Sequence, residues 1–252
     1  VMDCPFTLIV TDVDGCVGPG EAVPYDLGVL EYLGNLNRGA RRGDPVPAVT
    51  LCTGRSAAYV DAMMQTIEGF MPAIFENGAG LYFPESYRFS WHPSIPASGR
   101  MTIFRARELI EREVVQGGIG YVQPGKEMAL TLFPMPGYTL DNVGTACLNA
   151  LEGHDLPCCV DVGVTSVGIW LDGVNKGEGV RRLAQETGTS LESMVGVGDA
   201  EGDIYFLKLV GFPAAPANAE PEVKACVQYV SPHKDGQGLV DIIDKALTQN
   251  SP

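Results

Sequence analysis

The chain has 252 residues, 45% hydrophobic and 19% charged, which suits one large domain or a core carrying a smaller insertion. A formal net charge of −14 and a pI near 4.5 repel nucleic acid and anionic membranes, so neither is an expected partner. No apolar stretch is long enough for a bilayer, no signal-peptide layout opens the chain, and the seven cysteines contain no Cys-x-x-Cys; a cytoplasmic setting, reduced and mostly buried thiols and no structural zinc are expected.

The first predicted element is a short buried strand, Phe6–Thr11, rich in branched residues. Asp12-Val13-Asp14-Gly15 follows it directly. Two acids at the C-terminal tip of a buried strand are costly unless a cation or a proton settles their charge. Alone, the motif is equally compatible with a solvated turn. A Gly/Pro-rich stretch to Pro24 leads into a helix over Tyr25–Leu36, then a basic loop over Asn37–Pro47 whose arginines 38, 41 and 42 read as solvated. Ala48–Cys52 is a second buried strand, ending in Thr53-Gly54-Arg55-Ser56, with Ser56 as N-cap of a helix over Ala57–Ile67. Ala73–Phe75 is a third strand of the same series, ending in Glu76-Asn77-Gly78.

From about Leu81 to Leu171 the pattern changes. Tyr87–His92 alternates like an exposed strand, Met101–Val115 is helical, and Gly120–Gln123 pairs with Met128–Phe133 across a turn holding Lys126. Leu140–Leu151 is helical, capped by Thr139 or Asp141, and Cys158–Val162 and Ser166–Leu171 form a hairpin. Strand–helix alternation then resumes: helix Lys176–Glu186, strand Met194–Val197, Gly198-Asp199-Ala200-Glu201-Gly202-Asp203, strand Phe212–Ala215, helix Glu220–Cys226, strand Gln228–Ser231 and helix Gly238–Leu247. The expected fold is α/β, a doubly wound Rossmann-like parallel sheet formed by residues 1–82 and 172–252, with an α+β cap inserted at 83–171.

Four clusters lie at strand ends or helix starts: Asp12 with Asp14, Thr53, Lys176, and Asp199 with Asp203. In a parallel sheet these ends share one edge and converge. Carboxylates at Asp12 and Asp199 make a hard oxygen site suited to Mg²⁺. Lys176 adds a point charge for phosphate oxygens, Thr53 a hydroxyl, and the Gly54 or Arg55 N–H an anion-binding helix start. Such a set neutralises the charge that builds up in phosphoryl transfer. Asn77 faces the same edge and either touches substrate or only completes an Asn-Gly turn. Arg55 either binds substrate or pairs with a nearby acid. Lys126 either supplies a cation to the substrate or is a solvated turn lysine.

These four motifs, in this order and context, resemble the haloacid dehalogenase-like superfamily in its phosphatase branch. The resemblance spans the whole chain, and the insertion resembles the small αββαββ cap of sugar-phosphate and phosphoglycolate phosphatases. Pro216-Ala217-Asn218-Ala219 is also similar to that branch. The resemblance implies Asp12 as nucleophile, Asp14 as general acid and then base with its carbonyl on Mg²⁺, and Asp12 and Asp199 as metal ligands. Asp203 would be a further ligand or a support, and Thr53 and Lys176 would hold the phosphoryl group. Cys16 and Gly202 depart from the usual residues, and Glu201 is expected to face solvent. The expected reaction is Mg²⁺-dependent hydrolysis of a small phosphorylated metabolite by a monomer or homodimer. A phosphomutase of the same superfamily and a catalytically silent binding protein are the alternatives.

Overall fold

The computed structural model describes residues 6–96 and 98–248, in two compact units. One holds the chain through His92 and again from Asn175; the other is Pro93–Val174. These limits fall later in the chain than the expected boundaries at 83 and 171, because the hairpin before His92 belongs to the first unit. Cys4 lies outside the described residues; of the other cysteines, Cys16, Cys52 and Cys147 are buried thiols, and Cys158, Cys159 and Cys226 are half-buried ones. Among the described residues, no helix is long and apolar enough to cross a membrane.

Strand β1 (Leu8–Thr11) is buried at every position, as its branched apolar run dictates. Helix α1 (Leu27–Arg42) begins at Asp26, whose carboxylate caps the Gly28 N–H, and stops at Gly43 in the left-handed region. It therefore runs through Asn37 and the three arginines, where a loop was expected. Asn37 is tolerated because its amide donates to the Ile67 carbonyl and its oxygen accepts from the Val49 N–H, at 2.9 and 2.8 Å. Arg38, Arg41 and Arg42 pair with Glu68, Glu85 and Asp44. Strand β2 (Ala48–Leu51) pairs parallel with β1, and helix α2 (Ala57–Thr66) follows Ser56, whose side chain makes no capping bond. Strand β3 (Ala73–Phe75) meets the β2 edge at the parallel bridge Cys52–Ile74 but does not extend the parallel sheet. Glu76, Asn77 and Gly78 all have positive φ and reverse the chain, so β3 joins β4 (Gly80–Phe83) and β5 (Arg88–Trp91) in an antiparallel ribbon.

The second unit has the order helix–strand–strand twice. Helix α3 (Gly99–Ile110) passes into a π-helical turn at Glu111–Val115, then come β6 (Gly120–Val122), β7 (Ala129–Pro134), α4 (Leu140–Leu151), β8 (Cys158–Val162) and β9 (Val167–Leu171). Thr139 and Asn142 close a capping box on α4. The strands form an antiparallel sheet in the order β6-β7-β9-β8.

Back in the first unit, α5 (Lys176–Thr187) is capped by Asn175 and leads to β10 (Met194–Val197), α6 (Ile204–Leu207), β11 (Phe212–Ala215), α7 (Pro221–Cys226), β12 (Tyr229–Val230) and α8 (Asp235–Thr248). The parallel sheet has the order β12-β11-β10-β1-β2. Strand alternation sends Ile9, Val49 and Val195 to one face, against Leu33, Val60 and Ile242 of α1, α2 and α8. Leu8, Val10 and Met194 go to the other, against Val180, Leu207 and Val223 of α5, α6 and α7. Both faces are covered, so the sheet is doubly wound. The strand order reverses at β1, which sits between β10 and β2.

Candidate active site

Register assembles the site. Thr11 lies opposite Leu51 on one side and Val197 on the other, so Asp12, Thr53 and Asp199 leave the sheet at one edge. Asp12 is nearly sealed from solvent and its N–H donates to the Val197 carbonyl at 2.9 Å. Lys176, at the first position of α5 and also buried, places its ammonium 2.9 Å from Asp12 Oδ1 and 2.5 Å from Asp203 Oδ1. Asp203 Oδ2 accepts the N–H groups of Asp199 and Ala200, at 2.9 and 3.1 Å. Asp203 therefore joins the turn carrying Asp199 to the lysine, with both its oxygens engaged. Gly15, at φ 83°, packs its Cα against the Asp199 carboxylate, where any Cβ would collide. The Cys16 thiol donates to Asp199 Oδ1 at 3.6 Å.

Carboxylate oxygens of Asp12, Asp199 and Asp203 lie within 4.8 Å of one another. Burial raises the Asp12 carboxyl to about 7, with the Lys176 ammonium opposing the shift and the Asp203 and Asp14 charges adding to it. Burial, then the charges of Asp12 and Asp203, raise Asp199 to about 8. Burial alone would lower the Lys176 ammonium, but Asp12 and Asp203 hold it well above its ordinary value. Burial first, then the surrounding acids, pushes the Cys16 thiol well up, so it contributes a neutral S–H. An oxygen-only set of crowded acids under-compensated by one lysine fits a small, hard divalent cation.

The second strand end completes the edge. Thr53 is buried, and its Oγ1 accepts the Arg55 N–H at 3.2 Å. Asn77, at φ 57°, donates its N–H to the Thr53 carbonyl and sets its Oδ1 over Gly54, where a Cβ would crowd it at 2.8 Å. Gly78 packs against the Asn175 carbonyl, tying this turn to the start of α5. Arg55 pairs with Asp14 through both guanidinium arms, Nε to Oδ2 at 2.7 Å and Nη2 to Oδ1 at 2.5 Å. Asp14 and its neighbour Arg55 thus occupy the open side of the cluster, with side chains 29% and 16% exposed.

The structure brings Asp12, Asp14, Thr53, Gly54, Arg55, Asn77, Lys176, Asp199 and Asp203 to one edge of the first unit. Lys126 belongs to the second unit, where its ammonium donates to Thr131 Oγ1 at 2.5 Å. Glu201 is exposed and outside the acid cluster. Gly202 faces open space. Asn218 is a contributor that sequence reasoning left without a role: its side chain donates to the Gly15 carbonyl at 2.8 Å. Its segment stood out by resemblance, but no residue type or spacing ties a side chain to a carbonyl so distant in the chain.

Residues 147–243 match the haloacid dehalogenase-like hydrolase family. A phosphoglycolate phosphatase of Methanopyrus kandleri is 27% identical over 96% of this chain and 98% of its own length. One from Methanothrix thermoacetophila is 38% identical over 37% of this chain, a match spanning only 42% of that protein. The crystal structure of Thermoplasma acidophilum 0175 has the same fold, with a TM-score of 0.74 at 17% identity, covering 96% of this chain and 98% of that one. The family match over residues 147–243, a near-full-length relative and the shared fold together make this chain similar to the haloacid dehalogenase-like hydrolases.

Proposed function

We propose that this hydrolase is a Mg²⁺-dependent phosphatase that cleaves a small organic phosphomonoester, phosphoglycolate first among the candidates. The observation that carries this reading is the buried pairing of Lys176 with Asp12 and Asp203 beside Asp199. A carboxylate nucleophile, a fixed cation and an unbalanced set of metal-type oxygens meet there. The relatives named phosphoglycolate phosphatase supply the substrate class.

Asp12 and Asp199 would hold Mg²⁺, with the Asp14 carbonyl beside them and Asp203 as support for the turn. When bound, the ion would supply positive charge that keeps both carboxylates ionised and shields the phosphoryl oxygens from them. Asp12 attacks phosphorus and forms an aspartyl-phosphate. Thr53 Oγ1, the N–H groups at the start of α2 and the Lys176 ammonium hold the phosphoryl oxygens, and Asn77 borders the bound ester. Asp14 gives a proton to the leaving oxygen and later takes one from the hydrolytic water. A phosphate-release assay with Mg²⁺ tests the reading on 2-phosphoglycolate, sugar phosphates and p-nitrophenyl phosphate. The parent protein is expected to release phosphate and the Asp12→Asn variant none. No release by the parent from any of these esters overturns the proposal.

A further inference from the structure

We infer that Arg55 is the specificity residue for a carboxylate on the leaving portion of the substrate, which it takes in exchange for Asp14. The inference rests on the phosphatase reading and narrows it to phosphomonoesters of small hydroxy acids.

Both oxygens of Asp14 accept from the Arg55 fork, so neither is turned to a leaving oxygen. For Asp14 to act there, it has to leave the guanidinium. An abandoned, largely buried guanidinium is costly unless another anion takes its place. A carboxylate matches the vacated fork in shape and charge, so one two-point pair replaces another at little net cost. A neutral leaving group offers no such exchange and leaves Asp14 where it is.

The guanidinium is held ready for a planar partner. Its carbon lies 4.9 Å from the centre of the Tyr59 ring, and the Tyr59 hydroxyl pairs with that of Tyr25. Tyr25 in turn fits over Gly18, where any Cβ would strike its ring. Lys176, the other cation of the edge, is already committed to Asp12 and Asp203. Because the incoming carboxylate takes the position Asp14 leaves, it lies within a few bonds of the oxygen that Asp14 serves. That spacing suits a carboxylate on the carbon bearing the ester oxygen.

The exchange balances with the chemistry. The bond from phosphorus to the ester oxygen breaks, its electron pair stays on the leaving oxygen, and the proton comes from Asp14. The water that opens the Asp12–phosphorus bond returns a proton to Asp14.

The test compares 2-phosphoglycolate with ethyl phosphate, which has the same two-carbon leaving group without the carboxylate. In the parent protein kcat/KM is expected to favour 2-phosphoglycolate by about 100-fold, falling to about tenfold or less in both Arg55→Gln and Arg55→Lys, because a charge-assisted pair is lost in one and its fork in the other. Absence of a preference in the parent, or a preference unchanged in both variants, overturns the inference. p-Nitrophenyl phosphate, whose leaving group carries no carboxylate and needs no proton, separates the two readings. Its turnover with an unchanged preference overturns the role of Arg55 alone, and its lack of turnover together with both other esters and with sugar phosphates overturns the phosphatase reading as well.

Discussion

Asn218 joins two turns far apart in the chain: its amide donates to the Gly15 carbonyl and its oxygen accepts the Asp235 N–H, each at 2.8 Å. Two residues on, the Glu220 N–H donates to the Asp199 carbonyl at 2.8 Å. One short segment therefore holds both the turn after Asp14 and the turn bearing Asp199. Asn218→Ala leaves a partly buried carbonyl and N–H without partners, a loss of about 1–3 kcal/mol. It also frees Gly15 to move against Asp199. Denaturant unfolding is expected to show the lower stability, and a calorimetric Mg²⁺ titration a weaker Kd. Unaltered Mg²⁺ affinity would restrict Asn218 to a structural part.

Lys176 is the only cation facing Asp12 and Asp203 among the ion pairs of the described residues. Lys176→Met strands the buried Asp203 carboxylate, while Asp12, already raised to about 7 with the lysine in place, takes up a proton; breaking such a pair costs about 3–5 kcal/mol in the metal-free protein near neutral pH. Removing that stranded charge as well, in Lys176→Met with Asp203→Asn, is expected to recover about 1 kcal/mol or more, as a direct contact implies. Urea unfolding of the parent, both single variants and the double variant measures the coupling. Strictly additive losses would mean that Lys176 and Asp203 do not depend on each other.

Strand positions were legible because buried apolar runs such as Leu8–Thr11 and Met194–Val197 carry their own signal, and a parallel register then fixes which strand ends meet. The same logic brings Asp12, Thr53, Lys176 and Asp199 to one sheet edge from the sequence alone. The extension of α1 was hidden, because Asn37, Gly39 and three arginines look like a loop until the partners of Asn37 on Ile67 and Val49 are known. The direction taken after β3 was hidden too. Glu76 takes a positive φ, which a glutamate side chain does not announce. The Arg55–Asp14 pair was one of two open readings, since spacing does not say which way a long side chain turns.

Gly78 and Gly202 are predicted to respond oppositely to alanine. At Gly78, φ is 99° and a Cβ would run into the Asn175 carbonyl, so Gly78→Ala must push the turn after β3 away from the start of α5. A loss of about 2–4 kcal/mol is expected, beyond the ordinary cost of a strained backbone. At Gly202 a Cβ meets nothing within 4 Å and φ is not positive, so Gly202→Ala is expected to stabilise by about 0.4–1 kcal/mol through the unfolded chain. Thermal unfolding of the two variants checks both signs.

The acid cluster makes metal binding depend on pH in a definite direction. Asp12 and Asp199 have carboxyls raised to about 7 and about 8, above their value in an unfolded chain. A raised acid favours the folded state while it is protonated, and that contribution is lost as pH climbs from the unfolded value through the folded one. The metal-free protein is therefore expected to lose stability between about pH 4 and pH 8, where the unfolded chain gives up two protons that the folded one still holds. Mg²⁺ competes with the same protons, so its binding strengthens over that window and offsets the loss. At a hundredfold excess over its Kd the ion adds about 2.7 kcal/mol. Melting temperatures with Mg²⁺ and with a chelator should diverge as pH rises, and the divergence should collapse in Asp199→Asn. A gap that is constant with pH would mean that the bound ion does not displace protons from this pair.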